Sequence, residues 1–143
     1  MRDHTRTELL VDELKKVAGW GCGRPGAPQR LARMPVLSEL AEVQSLPPHQ
    51  AGCIIMRYLK NAILAFTEDR EYLGRRYDAP TLRRALLLEL GLEQGHLNAP
   101  LRQYRTMQVL KQPYGYHHWR KYLQRGLLAL LAESMVPDQT STV

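Results

Sequence analysis

The sequence predicts an all-α fold, a single compact domain of about five or six helices, on three observations. Apolar residues recur at spacings of three and four over most of the chain. These stretches open at Thr, Ser, Asp, Asn or Pro, and several close at Gly, the residues that start and stop helices. No run alternates apolar and polar residues between turn dipeptides, and no repeat shows at any period of about 20 to 50 residues. A chain of 143 residues is the size of one domain and can bury a core without metal or disulfide.

Thr5 and Glu8 form a T-x-x-E capping box ahead of Leu9, Leu10, Leu14, Val17 and Ala18, with Gly19 placed to end the first helix. From Trp20 to Pro28, Gly and Pro are too dense for a regular element, so a loop is expected. Helical character returns near Gln29, and Pro35 opens a short helix through Glu42 that puts Val36, Leu40 and Val43 on one side. Ser45 is the cap expected for the next helix, with Pro47 and Pro48 in its opening turn. Between His49 and Phe66 the stripe Ile55, Tyr58, Leu59, Ala62, Ile63 and Phe66, with Ile54 and Met56 beside it, is wide enough for a central, largely buried helix.

The charged segment from Thr67 to Tyr77 reads as a short helical turn or loop. Asp78-Ala79-Pro80 then opens a helix whose Leu82, Ala85, Leu86 and Leu90 face inward while Arg83, Arg84 and Glu89 remain wet, and Gly91 closes it. Asn98 and Pro100 start a helix over Ala99 to Leu110, the stretch Lys111 to Gly115 breaks it, and Tyr116 to Met135 forms the longest helix. Domain organisation is thus one helical unit over 1–135, with a two-helix element over 98–135 and a flexible tail over 136–143.

Charge is where the sequence speaks of function. Between Gln94 and Ala132 there is no Asp or Glu, while Arg102, Arg105, Lys111, Arg120, Lys121 and Arg125 equal the formal net charge of +6 for the whole chain. His96, His117 and His118 lie in the same stretch, interleaved with Tyr104, Tyr114, Tyr116, Trp119 and Tyr122. Cations neutralise phosphates and aromatic rings stack on bases or sugars, so this composition points to a polyanionic partner, nucleic acid first. Trp119, Leu123, Leu127, Leu130 and Leu131 follow core spacing, and His117, Lys121, Gln124 and Arg125 share the opposite face, with Arg120 nearby.

From Tyr116 to Leu127, and more loosely over Leu101 to Leu128, the chain resembles the reading element of bacterial helix-turn-helix DNA-binding regulators, with Trp119 as the apolar residue packed beneath the recognition helix. Its departures are a turn one residue longer and Met107 or Gln108 where that motif takes Ala. The resemblance implies contacts to duplex DNA by His117, His118, Lys121 and Arg125, and to its backbone by Arg102 and Arg105. The nucleic-acid-binding set expected from the sequence is therefore Arg102, Arg105, Lys111, His117, His118, Arg120, Lys121 and Arg125. It belongs to a small basic transcriptional regulator or accessory factor, bacterial by the resemblance. The second reading is a non-enzymatic adaptor that docks the same helices on an acidic protein. A homodimer fits either one, with Leu127 to Met135 as its seam or, equally, as part of the monomer's core.

The remaining features carry less. Gly23-Arg24-Pro25 resembles an AT-hook core, although Cys22 and Gly26-Ala27 stand where that motif has cations, and a plain loop is the stronger reading. His49 and Cys53 share a helix face but lack further ligands at metal spacing, so no metal and no cofactor are expected. Cys22 and Cys53 read as reduced, small apolar residues. No nucleophile elbow, P-loop, dinucleotide fingerprint or H-E-x-x-H occurs, and no enzyme is expected. The longest apolar stretch is broken by Arg57, Lys60 and Asn61, which excludes a spanning helix there and, with no signal-like start, places the chain in the cytoplasm.

Overall fold

The computed structural model describes residues 4–72, 74–93, 98–112 and 115–136 and is all-α, apart from one small hairpin. Helix α1 (His4–Trp20) is followed by the short α2 (Ala27–Leu31) and α3 (Pro35–Leu40), then α4 (Pro48–Leu64), the strands β1 (Arg70–Tyr72) and β2 (Arg75–Tyr77), α5 (Ala79–Glu89) and α6 (Ala99–Val109). The last described helix is continuous and has three parts: α7 (Tyr116–His118), a π-helical turn (Trp119–Leu123) and α8 (Gln124–Met135). One apolar core joins them, with Leu10, Leu14, Ile55, Leu59, Leu82, Leu86, Leu127 and Leu131 at its centre. Helix α8 packs on α1, α6 on α5, and α2 on α4.

Several caps follow from local chemistry as expected. The Asp78 carboxylate accepts from the Thr81 N–H at 2.9 Å and the Asn98 amide oxygen accepts from the Leu101 N–H at 3.0 Å, so α5 and α6 open where the sequence places them. Gly91 closes α5 in the left-handed region at φ 70°. Others move. Helix α1 already contains His4, so Thr5 lies inside its first turn and is not the cap, and the helix runs past Gly19 to stop at Gly21, which takes φ 80°. Pro47, not Ser45, is the residue before α4. The cap of α3 comes from a different helix: the buried Glu13 of α1 accepts from the Val36 and Leu37 N–H groups at 2.9 Å each, which places a carboxylate at a helix N-terminus. Where α2 meets α4, Gly52 is needed for the approach of the two backbones, because a Cβ there would stand 1.8 Å from the Pro28 carbonyl oxygen.

The main correction to the fold is the segment Thr67 to Tyr77, which holds an antiparallel hairpin with Arg70 opposite Tyr77, Glu71 opposite Arg76 and Tyr72 opposite Arg75. In each strand two exposed residues precede a buried tyrosine, so there is no period-two pattern to read. What makes the pair worthwhile is its tyrosines. The Tyr77 hydroxyl donates to the Leu110 carbonyl at the end of α6 at 2.6 Å, and the Tyr72 hydroxyl donates to the Leu123 carbonyl at the end of the π-helical turn. Val136, assigned to the tail, is buried in the core and its N–H bonds the Ala132 carbonyl, while 137–143 lie outside the described residues. Leu127, Leu128, Leu131, Ala132 and Met135 are likewise buried within the monomer and complete its core.

Candidate nucleic-acid interface

The basic stretch is a surface built on one anchor. Trp119 is fully buried, and its indole N–H donates to Glu89 Oε2 at 3.1 Å. Glu89, expected to be wet, is also fully buried, and Gln124, expected on the outer face, is buried and donates to the same oxygen at 2.6 Å. The π-helical turn explains the displacement of Gln124. The Gln124 N–H bonds the Trp119 carbonyl, five residues back instead of four, and the extra residue rotates everything after it relative to a regular helix. Trp119 and Gln124 thereby face the same buried carboxylate, and Leu127, Leu128 and Leu131 continue the inward face.

Burial pushes the Glu89 carboxyl above its ordinary range, opposed by the Gln124 and Trp119 hydrogen bonds and by the field of Arg102. Arg102 is the second correction to the site. It is 5% exposed, its Nη2 donates to the Ala18 carbonyl at the end of α1, and it is therefore not part of the basic outer face of the last helix.

Outside, the helix offers His117, His118, Arg120, Lys121 and Tyr122, all exposed. The rings of His118 and Tyr122 lie 5.1 Å apart, and the Lys121 ammonium stands 5.4 Å from the Tyr122 ring centroid, so cations and aromatic faces are mixed at the side-chain scale. On the α1 side the surface is altered in both directions. Asp12 pairs with Arg125 at 2.8 Å, so Arg125 is exposed but already opposed by a carboxylate. Lys15 and Lys16, far from the basic stretch in sequence and so without a local signal that links them to it, line an open depression with Arg120, Asp12 and Trp20. Arg105 is exposed too, but it opens on a different depression beside Arg84 and Glu93. Lys111 is exposed at the end of α6 with φ 56°. Of the turn itself, Pro113 and Tyr114 lie outside the described residues, as does His96.

The minor candidates sort simply. Gly23-Arg24-Pro25 sits in the exposed loop after α1. Cys53 is exposed, with its Sγ 3.7 Å from His49 Nε2, while Cys22 is buried and its thiol is pushed up to about 12 by that burial. Among the described residues no group of three or more His, Cys, Asp or Glu could hold a metal, and no helix is long and apolar enough to cross a membrane. No family model, curated protein or solved structure matches this chain. The functional reading therefore rests on the surface just described.

Proposed function

We propose that the protein is a non-enzymatic duplex-DNA-binding protein, a transcriptional regulator or accessory factor, that presents the start of its last helix to the major groove. The observation that carries this reading is the contrast across one helix: His117, His118, Arg120 and Lys121 are exposed, while Trp119 and Gln124 tie the same turns to a buried carboxylate. A helix held rigidly from below and cationic above is what phosphate neutralisation and groove insertion both require. Lys15 and Lys16 extend the cationic area onto α1, where a neighbouring backbone strand would pass. Arg102 takes no part in duplex contact, and Arg125 must first leave Asp12.

With Lys15, Lys16, Arg120 and Lys121 each displacing about one counterion, log affinity for a duplex should fall with log salt at a slope of about −3 to −4. Lys121→Ala should flatten that slope by about one without changing the circular dichroism spectrum. Absence of duplex binding at low salt, or a slope near zero, overturns the proposal and favours an acidic protein partner.

A further inference from the structure

Beside the basic face, and sharing Gly19 and Trp20 with the depression that holds Lys15, Lys16 and Arg120, lies a second cleft of about 470 Å³. Its walls come from the end of α1 and the following loop, from Gly91 after α5, and from Asn98, Ala99 and Arg102 at the start of α6. Three properties define what it can take. Its charged lining residues are Arg24 and Arg102, with no carboxylate among the described residues that line it. Gly19, Gly21, Gly23 and Gly91 leave one side without side chains and so open to a bulky occupant. Trp20 supplies an aromatic wall, with the Arg30 guanidinium 5.8 Å from its ring centroid.

Arg102 makes this more than a surface groove. Its guanidinium is fixed against the Ala18 carbonyl, and it packs so closely under Gly21 that a Cβ there would meet Nη1 at 2.6 Å. A cation held in one orientation loses little freedom when it binds an anion, and its planar fork suits phosphate oxygens. The capped N-terminus of the 11-residue α6 adds the same sign of potential from the same wall. We infer that the cleft is a binding site for a nucleoside monophosphate unit, its phosphate facing Arg24, Arg102 and the start of α6 and its base against Trp20. The volume falls in the range of small-ligand sites, and the pairing of an aromatic wall with two guanidinium groups fits a ligand with a planar ring at one end and a dianion at the other. The unit can be a free nucleotide or the 5′-phosphorylated end of a strand. The inference stands apart from duplex binding by the basic face.

The test uses the full chain at low ionic strength with AMP, adenosine and inorganic phosphate as probes, read by calorimetry and by tryptophan fluorescence, to which Trp20 responds while Trp119 is buried. AMP should bind one to one, with adenosine and phosphate each at least about tenfold weaker because each lacks one half of the recognition. Arg24→Ala should weaken AMP by about tenfold or more, whereas Arg33→Ala, on an exposed residue outside the cleft, should leave it unchanged. Arg24 is exposed, so its loss does not threaten the fold, and the salt slope for duplex binding should stay at the parent value. Displacement of AMP by a 5′-phosphorylated single strand but not by its unphosphorylated form identifies a strand end as the source; no displacement identifies the free nucleotide. No AMP binding, or equal AMP binding by the Arg24→Ala and Arg33→Ala variants, overturns the site whatever the duplex assay shows.

Discussion

Substitution of Glu89 separates the two things this side chain does, accept hydrogen bonds and carry a buried charge. In Glu89→Ala the Trp119 indole N–H and the Gln124 amide, both buried, lose their shared acceptor. Each orphaned donor costs about 1–3 kcal/mol, so the loss should be about 2–6 kcal/mol, a large part of the stability of a domain this size. Glu89→Gln retains one oxygen that can accept while removing the charge, so it should melt close to the parent. The two should diverge with pH. Because burial holds the Glu89 carboxyl above its ordinary range, the folded protein binds this proton more tightly than the unfolded chain, where it titrates near about 4.3. The stability contributed by this group is therefore fully present below that unfolded value and is lost as pH rises through the folded one. Urea titrations at a series of pH values should show the parent losing stability relative to Glu89→Gln over that window and a constant difference above it. Parallel pH profiles for the two proteins, or a Glu89→Ala variant within about 1 kcal/mol of the parent, would refute the assignment of Glu89 as the buried, ionisable acceptor beneath the basic helix.

Three further outcomes follow from the packing. Trp119→Ala should cost about 3–5 kcal/mol in denaturant titrations, since the ring is fully buried; a variant that melts like the parent would mean the ring is not core. Two glycines should respond in opposite senses: Gly52→Ala should destabilise by about 1–3 kcal/mol or more as α2 is forced off α4, while Gly19→Ala, where a Cβ meets nothing within 4 Å inside α1, should stabilise by about 0.5–1 kcal/mol. A thiol reagent at pH 8 should label Cys53 promptly and Cys22 only after unfolding, because burial keeps Cys22 protonated up to about 12; rapid modification of both would contradict that burial.

What the sequence determined by itself is what depends on neighbours within one or two turns. Asp78 and Asn98 cap their helices through N–H groups three residues ahead, Gly91 stops α5, and the stripes of α4 and α5 point inward, all within the reach of local geometry. The localisation of positive charge, and the burial of Trp119 beneath it, were also legible, since spacing along a helix sets which side chains share a face. The tertiary structure decided the rest. Glu13 serves a helix 23 residues away, the hairpin exists to bring two tyrosines to carbonyls at Leu110 and Leu123, and Lys15 and Lys16 reach Arg120 only because α1 lies along the last helix. By residue type Arg102, Gln124 and Glu89 are expected at the surface, as polar side chains usually are. The extra residue of the π-helical turn rotates Gln124 inward, Glu89 on α5 accepts there from Gln124 and Trp119, and Arg102 on α6 is held by a carbonyl of α1. A buried polar group is stable only with partners, and partners drawn from α1, α5, α6 and the last helix do not exist until those helices have packed.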